Sequence, residues 1–134
     1  MNKDRLLQVA DAIEREEIAK FHMIDFVDDR PCGTVACVAG FTALMFIGKP
    51  DDKYLTLQRQ DEIAIVLGLN ASQAGELFFA RSLDAFDEES EDTDGYEYIE
   101  NEGYNRFGAE VIRWMVANDT INWRAALTAI GAIK

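Results

Sequence analysis

Two thiols and one imidazole are the residues of this chain best suited to covalent chemistry. Cys32 and Cys37 lie in the segment Cys32-Gly33-Thr34-Val35-Ala36-Cys37-Val38-Ala39-Gly40, and His22, the sole histidine, stands ten residues before the first of them. A helix N-terminus stabilises a thiolate through its dipole and its unsatisfied N–H groups. If the segment opens a helix, Cys32 sits where a reactive thiol would be favoured, and His22 is the only side chain available to complete a Cys–His pair. The alternative is that Cys32 packs as a small half-buried residue, and the lack of a base that sequence can place beside it favours that alternative. Asp25, Asp28 and Asp29 could orient the imidazole, but acids are abundant here and discriminate nothing.

The other chemistries these thiols could support are weaker. Five residues apart in one helix, Cys32 and Cys37 would differ by about 140° in direction and about 7.5 Å in rise, outside disulfide reach. Cys-x4-Cys with one His supplies three soft ligands and no paired knuckle, so zinc is not expected. Gly33-Thr34 lacks the lysine and glycine-rich loop of a phosphate site.

The second concentration of chemistry is acidic. Net charge is −12, and between Asp84 and Glu102 stand ten acids with no Lys or Arg. The rest of the chain holds 15 acids against 13 bases, close to neutral. Self-repulsion predicts an acidic, mobile loop at about 84–103. Read as a calcium loop starting at Ser90, it offers Asp92, Asp94 and Gly95 at the right positions. It then places Glu97 where an apolar residue belongs and Asn101 where a bidentate Glu belongs. Asp92 and Asp94 are therefore weak metal candidates, and no cofactor is expected. Tyr96, Tyr98 and Tyr104 are interleaved with the acids, a pattern suited to contact with a basic protein partner. The shortage of clustered Lys and Arg argues against direct nucleic-acid binding.

The elements that must position these residues are helical. Leu6, Leu7, Ala10 and Ile13 predict an amphipathic helix over about 3–17, capped by Asn2 or Asp4. Residues 21–27 are aromatic-rich without clean periodicity and read as either an extended segment or a short helix. After the Asp28-Asp29-Arg30-Pro31 turn, a helix over about 32–47, apolar around most of its circumference, should be central and stop at Gly48-Lys49-Pro50. Gly33, Ala36, Gly40 and Ala43 would then share one face, a strip of small residues suited to close helix packing.

Thr56 caps a helix over about 57–67. Asn70 and Gln73 have capping-box spacing for a short helix through Leu77 and Phe79. Phe107, Val111, Ile112 and Met115 mark a helix over about 104–117, which Asn118-Asp119-Thr120 ends. A last helix starts near Asn122 or Trp123. No strand pair stands out. The chain reads as a single all-α domain, residues 1–134, with five to six helices around the central one.

These features together resemble a set of small bacterial and phage proteins without an assigned activity. The resemblance rests on the N-terminal Arg5-Leu6-Leu7 helix, the Cys-Gly-Thr-x-Ala-Cys-x-Ala-Gly segment, Leu67-Gly68-Leu69 with Gln73-Ala74 and Leu77-Phe78, and the closing Asn122-Trp123-Arg124-Ala125-Ala126-Leu127. It omits about 84–103 and implies neither activity nor site. With no signal-peptide h-region and no apolar run near about 18 residues, a cytoplasmic protein with reduced thiols and no membrane span is expected.

The function expected is a small, non-catalytic protein-interaction or regulatory domain, with enzymatic activity left open but disfavoured and a homo-oligomer allowed by Trp114 and Trp123. The alternative is a thiol-dependent enzyme or redox sensor using Cys32. A lesser one is an acidic charge mimic acting on a nucleic-acid-binding partner, which needs charge on a rigid surface that a loop supplies poorly.

Overall fold

The computed structural model of the chain describes residues 1–21, 27–30, 33–50, 55–79, 82 and 104–131. Six α-helices among these residues build one hydrophobic core, as the helical patterning predicts. Helix α1 (Lys3–Arg15) buries Leu6, Val9, Ala10 and Ile13, and the Asn2 side chain accepts the Arg5 N–H to cap it. The helix ends at Glu16, whose φ of 50° turns the chain out of helical geometry.

The principal departure from expectation follows. Strands β1 (Lys20–Phe21), β2 (Val27–Arg30) and β3 (Gly33–Ala36) form a sheet of order β1-β3-β2. β3 pairs parallel with β1, Phe21 opposite Ala36, and antiparallel with β2, Arg30 opposite Gly33. The aromatic stretch at 21–27 is therefore extended at both its described ends. The helix expected over 32–47 begins only at Val38: α2 spans Val38–Phe46, with Cys37 at its N-cap in extended geometry. Thr34 and Val35 are β-branched and favour strand when neighbours can pair with them on both sides.

α2 is central, as its composition requires. Val38, Ala39, Gly40, Phe41, Thr42 and Ala43 are consecutively buried, leaving no solvent-facing stripe over those residues. The one polar group among them, the Thr42 hydroxyl, donates to the Val38 carbonyl at 2.9 Å. Gly48, at φ 131°, stops the helix where the Gly-Lys-Pro pattern places the stop.

Local capping signals then hold one after another. The Thr56 hydroxyl accepts the Arg59 N–H at the start of α3 (Leu57–Leu67), and Gly68, at φ 65°, closes it. Asn70 and Gln73 exchange hydrogen bonds of 2.8 and 3.0 Å as a capping box before α4 (Ala71–Phe79). Helix α5 (Tyr104–Ala117) packs along α1, and α6 (Trp123–Ala129) starts from Asn122, whose side chain accepts the Ala125 N–H. Trp123 is fully buried, which assigns that indole to the core.

Two contacts fix α5 against the rest. Gly108 faces the ring of Phe21 so closely that a Cβ there would lie 2.5 Å from Phe21 Cε1. Phe21 in turn meets Phe41 with ring centroids 6.2 Å apart. At the outer edge of the same interface, Arg113 donates to Asp11 and Glu14 of α1 at 2.8 Å each. Hydrogen bonds from Glu14 first and Asp11 second push the Arg113 pKa up, so this guanidinium stays charged.

Candidate functional site

The altered start of α2 bears directly on the thiols. Cys37, not Cys32, occupies the helix N-cap, and it is 5% exposed. Between the two cysteines runs β3, whose three residue steps from Gly33 to Ala36 extend about 10 Å. The strip of small residues is divided too: Gly33 and Ala36 belong to β3, while Gly40 and Ala43 lie on α2.

His22, Cys32, Asp25, Asp92, Asp94, Tyr96 and Tyr98 lie outside the described residues, as does the whole acidic stretch 84–103. Tyr104 is the first residue of α5. Among the described residues, no three of His, Cys, Asp and Glu converge as a metal shell, and no helix is long and apolar enough to cross a membrane.

Two polar constellations that local sequence reading misses do form. In the first, the Glu76 carboxylate on α4 accepts the backbone N–H of Ser82 at 2.7 Å and of Trp123 at 2.8 Å, together with the Ser82 hydroxyl. Ser82 Oγ then accepts the Arg124 N–H, Arg124 Nε donates to the Ser82 carbonyl, and the Trp123 indole donates to the Leu77 carbonyl. The Glu76 carboxylate, Ser82 Oγ and the Asn122 side chain together satisfy the N–H groups of Trp123, Arg124 and Ala125, which the first turn of α6 leaves without helical partners. This junction has a sufficient structural reason: it ties the end of α4 to the start of α6. A Glu 47 positions before a Trp carries no local signal that would reveal it.

The second constellation is a groove of about 310 Å³ where the end of α1, the chain just beyond it and the end of α2 meet. Ala12, Ile18 and Met45 supply its apolar surface, and Asp11, Arg15 and Glu17 stand around it. Ile18 is 45% exposed, high for an aliphatic side chain beside a core. The one sequence hint is Ile18 itself, an apolar residue just past an acidic helix end.

These features define a small helical domain with a three-stranded sheet attached, one continuous core, and an open amphipathic groove on its surface. No protein-family model matches the chain, and neither does any curated protein or solved structure.

Proposed function

We propose that this chain is a non-catalytic protein-interaction domain whose partner presents a basic surface. The observation that carries the reading is the segregation of charge: ten acids without one base over 84–102, in a chain whose remaining charges nearly balance. A concentrated negative charge attracts a cationic partner and sets the rate and selectivity of encounter more than the final affinity. Exposed apolar side chains on the helical body offer contact area to complement it, with Leu57 and Ile65 of α3 each 78% exposed. The thiol alternative is weakened because α2 starts at Val38, which removes the helix-terminus argument for Cys32. The kinship suggested by the Cys-Gly-Thr segment, a cytoplasmic setting and self-association belong to the same proposal and add no activity to it.

The test is affinity recovery followed by measured binding, using the full chain and a variant in which the ten acids of 84–102 become Asn or Gln. Chain length and the helical body are preserved in that variant. The reading expects a recovered partner with an excess of Lys and Arg, binding that weakens as salt rises, and loss of binding in the neutralised variant. Equal recovery by both proteins would remove the acidic segment from the function.

A further inference from the structure

The groove at the ends of α1 and α2 combines an apolar lining with charged side chains around it. Its volume, about 310 Å³, is at the low end of ligand sites, and it is open rather than enclosed. Such a space suits one or two side chains of a protein segment better than a cofactor. Ala12, Ile18 and Met45 give it apolar contact surface, and the 45% exposure of Ile18 means burying that side chain is still available as a driving force.

Charge around the groove selects the partner's sign. The lining carries Asp11 and Glu17 against Arg15, and Glu14 and Glu16 stand beside them in the sequence at the same helix end. Arg113 arrives from α5 to meet Asp11 and Glu14, so acids still exceed bases. The groove also lies at the C-terminal end of α1, where the helix dipole adds negative potential. Arg15 offsets part of this charge, and the remaining excess of acids together with the helix end favours a basic segment over an acidic one.

We propose that this groove seats an aliphatic residue flanked by Lys or Arg in a partner protein, the aliphatic side chain against Ile18 and Met45 and a cationic one near Glu17. The proposal rests on the reading that the partner is basic, and it places contact on the helical body in addition to the acidic segment.

The probe is a labelled nine-residue peptide alternating Lys and Leu, titrated against the full chain by fluorescence anisotropy, with Lys/Ser and Glu/Leu peptides as controls. The Lys/Leu peptide binds, and both controls bind at least about tenfold more weakly. Ile18→Ser weakens the Lys/Leu complex about tenfold, and Glu17→Lys weakens it severalfold, both with unchanged far-ultraviolet circular dichroism. No binding up to about 1 mM peptide, equal binding of the Lys/Ser peptide, or indifference to Ile18→Ser overturns the proposal. The variant neutralised over 84–102 separates the two readings. Affinity lost there but retained in Ile18→Ser rejects the groove and keeps the acidic segment; the opposite pattern rejects the acidic segment and keeps the groove.

Discussion

Replacing Gly108 with Ala sets two effects of opposite sign against each other. Within a helix, Gly→Ala normally stabilises by about 1 kcal/mol, because Ala has less backbone freedom to lose. Here the added methyl would lie 2.5 Å from Phe21 Cε1, 2.9 Å from Cζ and 3.1 Å from Cδ1. The ring cannot easily yield: Phe21 is 4% exposed and abuts Phe41, itself fully buried. Either α5 moves away from β1 or the ring leaves its rotamer, and overpacking of this kind costs about 1–3 kcal/mol. Allowing for the helix-propensity gain, Gly108→Ala is expected to destabilise by up to about 2 kcal/mol, equivalent to a fall in Tm of up to about 8 °C in a chain of this size.

Urea unfolding followed by circular dichroism at 222 nm measures the effect, and a double-mutant cycle identifies its origin. Phe21→Leu removes the ring atoms in the way, at the expense of a cavity. In that background Gly108→Ala should be neutral or stabilising, a coupling of about 1–3 kcal/mol between the sites. A gain near 1 kcal/mol for Gly108→Ala alone, or additive single and double variants, would refute the close approach of α5 to Phe21 and with it the seating of the sheet against the helices.

Arg113→Met should destabilise by about 1 kcal/mol, since its two ion pairs are half-exposed and each pair of that kind contributes little, with the difference from wild type narrowing by about 1 M NaCl. The pKa of Arg113 is raised, so its contribution is fully present below the ordinary arginine value and is lost only above it; between pH 6 and 9 the arginine side adds no slope to stability, and a slope removed specifically by Arg113→Met would contradict this. Glu76→Ala leaves the Trp123 and Ser82 N–H groups without their acceptor and should cost about 2–3 kcal/mol, with altered Trp fluorescence; Glu76→Gln, which keeps a carbonyl oxygen, should cost less, and equal losses would show that the carboxylate's acceptor role is not what matters. In Cys32→Ser the remaining thiol is Cys37, 5% exposed, which should be alkylated only as fast as the fold opens; rapid modification under native conditions would place Cys37 at the surface.

What could be read from the sequence is what local chemistry decides. The Asn2, Thr56 and Asn122 caps, the Asn70–Gln73 box and the Gly48 and Gly68 stops each depend on residues within one turn of each other, and each is found where its signal stands. The parallel pairing of β1 with β3 depends on no such signal. β1 is two residues long, too short for any alternation, and its partner in β3 is fifteen positions away. Without that pairing in view, Gly33, Ala36, Gly40 and Ala43 fit a helical strip equally well, since spacings of three and four cannot distinguish one helix from a strand followed by a helix. The groove is hidden for the same reason: Ile18 and Met45 sit past the end of one helix and near the end of another, and only the packing of α1 on α2 brings them together.

The segment around the cysteines is therefore best understood as a junction. Ala36 stands opposite Phe21 on one side and Val27 on the other, in the middle strand of the sheet, and the next residues, Cys37 and Val38, enter the core as α2 begins. A chain that leaves the centre of a sheet to become a buried helix has side chains crowded on every side over those few positions. Small residues at Ala36, Ala39, Gly40 and Ala43 meet that demand, and a buried thiol at Cys37 meets it as a small apolar group would. A nucleophile must be reached by its substrate, and this position is closed. The sequence features that suggest reactivity, a thiol beside glycines and a helix start, are the features that burial at a strand-to-helix junction also requires, so the search for function moves to the surfaces whose composition packing does not explain.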